Sequence, residues 1–222
     1  MDYERCLALQ QVLHARVAAG DSTNYVVLVE HPPVLTFGKH ADRGHLLFAA
    51  DFFRSKGVGL VDTDRGGEVT AHEPGQLVAY PILRLGDFNL TPRRYVDRLE
   101  SSVIAALSGF GIRATRDPDH PGVWVDTDKI CAVGVRIKDR VSLHGIALNI
   151  NNSLDLFQQI VPCGILGRGV TSMSRVLGRP CTVEEVLPSF INELRDSLGV
   201  ETAAGSLIQG LHWPDGTPIL FA

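Results

Sequence analysis

The sequence has no run of about 20 apolar residues, the length that a membrane-spanning helix needs, and its longest apolar stretches are strand-sized pieces such as Tyr25 to Val29. It opens Met1-Asp2-Tyr3-Glu4-Arg5, which is neither the basic-then-apolar start of a signal peptide nor the arginine-rich, acid-poor start of a transit peptide. Both absences point to a soluble, cytoplasmic protein. The four cysteines, Cys6, Cys131, Cys163 and Cys181, form neither a CxxC pair nor a Cys/His cluster with zinc-binding spacing, so reduced thiols and no metal are expected. A net positive charge is also missing, the formal net charge being -4. Nucleic acid binding depends on phosphate neutralisation by clustered Lys and Arg. The expected partners are therefore small molecules or proteins, with no nucleic acid and no membrane. No internal repeat, low-complexity tract or linker interrupts the chain.

What is present is an ordinary globular composition, 222 residues with 45% hydrophobic and 21% charged, read as one domain over residues 1–222. Leu9, Val12, Leu13 and Val17 recur at helical spacing before Gly20 and predict a first helix packed on a sheet. Tyr25 to Glu30 reads as a buried strand ended by His31-Pro32-Pro33. Three neighbouring strands are expected at Val58 to Asp62, Glu68 to His72 and Leu77 to Leu83. Thr91-Pro92 starts a helix carried by Tyr95, Leu99, Val103, Ala106 and Leu107 as far as Gly109. Val123 to Val125, Ile130 to Ile137 and Ile146 to Ile150 predict a meander, and Thr182 with Glu185 forms a capping box for a last helix that contains Pro188. Strands in runs, without strict strand-helix alternation, give an α+β class: mixed or antiparallel sheets flanked by helices.

Three segments carry potential chemistry. In Arg65-Gly66-Gly67-Glu68-Val69-Thr70-Ala71-His72-Glu73-Pro74-Gly75-Gln76, two glycines allow close backbone approach and Arg65 offers a fork of donors for a carboxylate, phosphate or amide oxygen. The competing reading is a hairpin with a surface arginine. Cys163 sits between Pro162 and Gly164 in a turn, whereas Cys131 lies in an apolar periodic segment, and Cys6 and Cys181 read as structural. A nucleophilic thiol needs a basic or cationic partner. His31, His72, His144 and Lys129 are the candidates, Lys129 at a loop-strand junction where a plain solvated lysine is the alternative. Gly134 inside a β-branched strand marks the close passage of a ligand or backbone, and in His144-Gly145-Ile146-Ala147 the small Ala147 leaves room for an acyl chain. A core histidine capping a hairpin is the alternative for His144.

These motifs, taken in order with Thr36 and Gly38, Lys129 and Pro162-Cys163-Gly164-Ile165, resemble the lipoyl(octanoyl) transferases, the protein octanoyltransferases of lipoate synthesis, over most of the chain. The resemblance implies the fold of the biotin and lipoate protein ligase catalytic domain. It also implies ping-pong transfer of an octanoyl group from octanoyl-acyl carrier protein to Cys163 and then to a lysine on lipoyl domains of 2-oxoacid dehydrogenase complexes or on the glycine cleavage H protein. Lys129 matches the lysine that activates the cysteine. Arg65, Gly66, Gly67, Glu68, Val69, Thr70, Ala71 and His72, with Ala132, Val133 and Gly134 and with Gly145, Ile146 and Ala147, match the stretches that line the acyl pocket. Glu73 departs from the pattern, where glycine is common, and is expected to alter the pocket rim. Thioester exchange is close to neutral and thioester-to-amide transfer is downhill, so no cofactor is expected. The alternatives are an ATP-dependent lipoate-protein ligase, a non-enzymatic acyl carrier protein binding module and a thiol hydrolase. A basic loop at Lys39, His40, Arg43 and His45 is a possible docking patch for an acidic carrier.

Overall fold

The computed structural model describes residues 1–161 and 168–199. Helix α1 spans Tyr3–Ala18, with the Asp2 carboxylate accepting from the Arg5 N–H at 3.1 Å as its N-cap. Its helical-period residues, Cys6, Leu9, Leu13 and Val17, are fully buried. Strands β1 (Tyr25–Val29), β2 (Val34–Phe37), β3 (Gly59–Asp62), β4 (Val69–His72) and β5 (Gln76–Ile82) follow, with a short helix α2 (Ala50–Ser55) after β2. Helix α3 covers Pro92–Gly109, capped by the Thr91 hydroxyl and started by Pro92. Strands β6 (Thr115–Arg116), β7 (Val123–Val125), β8 (Asp128–Lys138) and β9 (Val141–Asn149) lead to α4 (Met173–Leu177) and α5 (Val183–Leu198). In α5 the Thr182 hydroxyl accepts from the Glu185 N–H, and the helix runs through Pro188 to a left-handed Gly199.

The strands form two sheets, a six-stranded antiparallel one in the order β1-β5-β9-β8-β7-β6 and a three-stranded mixed one in the order β3-β2-β4. This is the expected α+β class, with two corrections to detail. The stretch Tyr25–Val29 is an edge strand, half-buried after Tyr25, because only β5 pairs with it. The three strands expected as neighbours part company. β3 and β4 flank the unanticipated β2, while β5 joins the large sheet.

Side chains alternate across a strand, and β5 separates the layers on that principle. Leu77 and Ala79 face the helical side with Ile130, Ile146, Leu148, Leu99 and Phe190. Val78 and Tyr80 face the other way, toward Tyr3 and Cys6 of α1, Val34 of β2 and Ala147 of β9. The small sheet carries its own apolar layer in Leu35, Phe37, Val69 and Ala71.

The ladder between β5 and β9 stops after Ala79–Ile146. Beyond it Pro81 offers no N–H, and His144 takes a left-handed backbone at φ 57°. Ser142 Oγ donates to the Pro81 carbonyl at 2.7 Å and accepts from the Leu83 N–H at 2.9 Å. The amide oxygen of Gln10 accepts the His144 N–H at 2.9 Å. Such a break in a ladder turns a side chain out of the sheet's regular alternation.

Glu73 lies away from any rim. Its carboxylate is buried and accepts from Asn152 Nδ2 (3.1 Å), Ser153 Oγ (3.1 Å) and the Leu154 N–H (2.8 Å), holding a turn in which Leu154 has φ 67°. Glu73→Ala is expected to lower unfolding stability by about 2–3 kcal/mol, since it strips the acceptor from buried donors. Urea denaturation measures this, and a loss within experimental error would show that the turn holds without the carboxylate.

Candidate active site

A largely apolar cavity of about 380 Å³ lies against the Val78 and Tyr80 face of the large sheet, walled by β4 and the loop before it. Of the residues singled out in the sequence, Arg65, Gly66, Gly67, Glu68, Val69, Thr70, His72, Lys129, Ala132, Val133, Gly134, His144, Gly145, Ile146 and Ala147 border it. Ala71 does not. The alternation of β4 turns it into the apolar layer of the small sheet. Cys163 lies outside the described residues. The sequence reading missed Tyr3, Val78, Tyr80, Val96, Asp119, His120, Pro121 and Val135, which also line it among the described residues.

Arg65 is buried and is not a surface residue. Its Nε donates to Thr36 Oγ1 at 3.2 Å, one terminal nitrogen donates to the carbonyls of Thr36 and Glu68, each at 2.7 Å, and the other donates to the Gly66 carbonyl at 3.0 Å. The guanidinium packs over Gly134, where a Cβ would stand 3.1 Å from Arg65 Cδ and 3.0 Å from the Gly66 carbonyl oxygen. The group whose close passage Gly134 admits is therefore Arg65 with its own loop, tied further by the Gly66 N–H to the Val135 carbonyl at 3.0 Å.

Lys129 is the second residue of β8 and is buried. Its N–H donates to the Gly169 carbonyl and its carbonyl accepts from the Thr171 N–H, both at 3.0 Å, so the segment from Gly169 to Thr171 bridges directly to it. Its ammonium donates to the Pro121 carbonyl at 3.1 Å and lies 4.8 Å from the centre of the Trp124 ring. The Arg168 guanidinium lies 4.6 Å from the same ring and pairs with Asp117. Arg168 first, then the Asp119 N–H, hold the Asp117 carboxyl well below the usual range. Gly122, at φ 133°, is required here, because a Cβ would stand 2.7 Å from the Cys131 carbonyl oxygen and 3.2 Å from Lys129 Cε. Buried Glu100 of α3 accepts the Gly122 N–H at 2.8 Å and pairs with Arg116 at 3.1 Å. Two cations on one indole make this end of the cavity an anion-stabilising one.

His72, His31 and His144 are held neutral. The His72 ring stacks on Tyr3 at 5.6 Å and meets His31 edge-on at 5.6 Å, and His31 Nε2 lies 2.9 Å from the Tyr80 hydroxyl. Burial lowers His72 to about 3, helped by His31 and Arg65. It lowers His31 to about 4, and it lowers His144 to about 4 with Arg65 and Arg136 adding to it. Burial also pushes the Tyr3 hydroxyl up to about 12. His144 Nε2 lies 2.7 Å from the carboxylate of Asp64, which also pairs with Arg136. The remaining cysteines are buried, and burial raises their thiols, Cys6 to about 12. In the basic loop, Arg43 pairs with Asp62 at 2.7 Å and His45 lies 3.3 Å from Glu68, which leaves Lys39 and His40 as its exposed side chains without an ion pair among the described residues.

The chain matches the model of the lipoyl protein ligase A/B catalytic domain over residues 2–195. It is 42% identical to the octanoyltransferase of Alkaliphilus metalliredigens over 81% of this chain and 83% of that protein. It is 41% identical to that of Geobacter metallireducens over 84% of each, and 43% identical to that of Clavibacter sepedonicus over 84% and 81%. Among solved structures, lipoate-protein ligase A bound with ATP superposes with a TM-score of 0.74 at 16% identity, covering 91% of this chain and 83% of that one. A bipartite lipoate protein ligase from Thermoplasma acidophilum superposes with a TM-score of 0.67 at 13% identity, covering 90% and 83%. At those identities the structures establish a shared fold.

The three buried histidines give the fold a pH signature. Their pKa values fall from 6.5 in the unfolded chain to between about 3 and about 4 when folded. Within that interval the unfolded chain binds protons that the folded one refuses, so stability drops as pH falls from about 6.5 toward 4. Thermal unfolding from pH 7.5 to 4.5 should show a declining midpoint across this window. A flat profile would mean that the histidines are accessible to protons in the folded state.

Proposed function

Since the chain belongs to the lipoyl protein ligase A/B catalytic-domain family and is an acyltransferase, we propose that it takes an octanoyl group from octanoyl-acyl carrier protein onto Cys163 as a thioester. It then passes the group to the lysine of a lipoyl domain, in 2-oxoacid dehydrogenase complexes and the glycine cleavage H protein, in the cytoplasm. The observation that carries this reading is a buried lysine ammonium at an apolar cavity, bridged through its backbone to Gly169 and Thr171.

An opposite charge within about 4–6 Å depresses a thiol's pKa, and the Lys129 ammonium is the partner assigned to Cys163. In the first half-reaction the Cys163 thiolate attacks the donor's thioester carbonyl. A new C–S bond forms, the donor's C–S bond breaks, and the departing thiolate takes a proton from Lys129. In the second, the acceptor's neutral amine attacks the Cys163 thioester, the C–N bond forms, Cys163 leaves as thiolate and the surplus amine proton returns to Lys129. The lysine thus starts and ends the cycle charged, with no other proton carrier required.

The acyl chain is read as running along β8. Seven carbon–carbon bonds of about 1.5 Å extend roughly 9 Å, whereas the five residue steps from Lys129 to Gly134 span roughly 16 Å. Ala132, cross-strand from Ala147, is the small pair beside which such a chain would lie. Burial of about six methylenes at roughly 0.8 kcal/mol each contributes on the order of 5 kcal/mol. Each methylene more or less discriminates by about 1–3 kcal/mol, so chain-length selectivity is expected to be good but incomplete.

Intact-mass spectrometry after mixing with octanoyl carrier protein, without ATP, tests the reading. The expected result is one octanoyl adduct that is absent in Cys163→Ser and discharges onto a lipoyl domain. Lys129→Met should slow adduct formation roughly 100-fold or more and return the thiol titration toward about 8.5. Transfer only with ATP would move the assignment to a ligase, and release of free octanoate at the turnover rate would move it to a hydrolase.

A further inference from the structure

His72 reaches the cavity at the end of a fixed relay of amides. Asn149 Nδ2 donates to the Thr171 carbonyl at 3.0 Å, and a carbonyl can only accept, so Asn149 Oδ1 faces inward. That oxygen accepts from Gln76 Nε2 at 2.9 Å and from Asn152 Nδ2 at 3.1 Å. Gln76 Nε2 also donates to the Ala71 carbonyl at 3.2 Å, which fixes the Gln76 amide the same way round. Its Oε1 therefore faces His72 Nδ1 at 2.7 Å, and Nδ1 must carry the proton. In a neutral ring the other nitrogen, Nε2, is then obliged to be an acceptor. Among the described residues nothing bonds to Nε2, nor is it among the sealed-off unpartnered atoms, so Nε2 is the atom that this lining residue offers to the cavity. The relay starts at Thr171, whose N–H holds the Lys129 carbonyl.

A wall acceptor with a locked tautomer, joined to the strand that carries Lys129, fits a substrate group that brings an N–H. Neither the octanoyl chain nor a thioester carries one, whereas the incoming amine does. We propose that His72 Nε2 is a catalytic hydrogen-bond acceptor for the N–H of the attacking lysine, turning the amine's lone pair toward the thioester carbon, with Gln76 and Asn149 as positioning residues. This rests on the reading of Cys163 as the acylated residue. Protonation would turn Nε2 into a donor and abolish the role. Burial, with His31, Arg65 and His144 nearby, keeps the ring neutral, and Tyr3 stacks on it uncharged.

The two half-reactions separate the possibilities. Octanoyl loading of Cys163 and its discharge onto a lipoyl domain are followed by intact mass in single turnovers for the wild type, His72→Phe, His72→Gln and Gln76→Glu. His72→Phe keeps the stack on Tyr3 and removes the acceptor. It is expected to slow discharge roughly 10- to 100-fold and loading far less. His72→Gln should recover part of that loss through its amide oxygen. Gln76→Glu keeps an acceptor for Nδ1–H but raises the ring's pKa, so the acid limb of discharge should move up in pH relative to the wild type. Equal slowing of both half-reactions in His72→Phe, or discharge at the wild-type rate, overturns the proposal, as does an unmoved acid limb in a folded Gln76→Glu. A wild type that never loads Cys163 overturns instead the functional reading beneath it.

Discussion

Arg65 brings a guanidinium into the space between the two sheets and satisfies it on Thr36 of β2 and on the carbonyls of Gly66 and Glu68, while its stem crosses β8 at Gly134. A buried charge is costly unless it is well hydrogen-bonded, and here the donors also supply partners for carbonyls that an interior loop would otherwise leave unmet. The small sheet is thereby registered against the large one, and the cavity is the space left between them. The same cation acts at a distance, helping burial to keep His72 and His144 neutral. Joining the layers and setting the polarity of one wall are two results of one side chain.

The site accordingly has two unlike parts. At one, the Lys129 ammonium and the Arg168 guanidinium share the Trp124 indole, with Asp117 drawn toward Arg168. At the other, histidines, tyrosines and side-chain amides are linked by hydrogen bonds without a formal charge in the relay. A thiolate and a departing thiolate belong beside the first. An uncharged nucleophile, which must keep its lone pair available, is suited to an uncharged acceptor of the kind the second offers. This division suits the proposed transfer, which would begin with an anionic attack and end with a neutral one.

Elements governed by local chemistry were legible in the sequence. The Leu9-Leu13-Val17 stripe marks α1, Thr91-Pro92 marks α3, Thr182 and Glu185 mark α5, and the turns at Asp126 and Asp139 bound the β7-β8-β9 meander. Sheet membership was not legible, because pairing of β2 with both β3 and β4 depends on residues more than 20 positions away and no local signal distinguishes those strands from β5. The same limit applies at the cavity. The glycine-rich loop and the strand glycines stood out by composition, but Tyr3 enters from the start of α1, and Tyr80 looks like any other strand aromatic. Glu100 reads as one polar position of an amphipathic helix, and only the fold reveals that it holds Gly122 beside Lys129. Gly134 was recognised as the site of a close passage, but its partner could not be named from sequence, since Arg65 lies 69 positions earlier.

That pairing determines how the cavity can be redesigned. Gly134 and Arg65 occupy the same space, so neither is an independent dial: a side chain at Gly134 demands a shorter residue at position 65, and that exchange unfastens Thr36 and the small sheet with it. Ala132 and Ala147 are different, since they sit cross-strand on β8 and β9 and border the cavity. Descendants of this scaffold with altered acyl length are therefore to be sought in the size of that alanine pair, with Arg65 and Gly134 inherited together as a fixed couple.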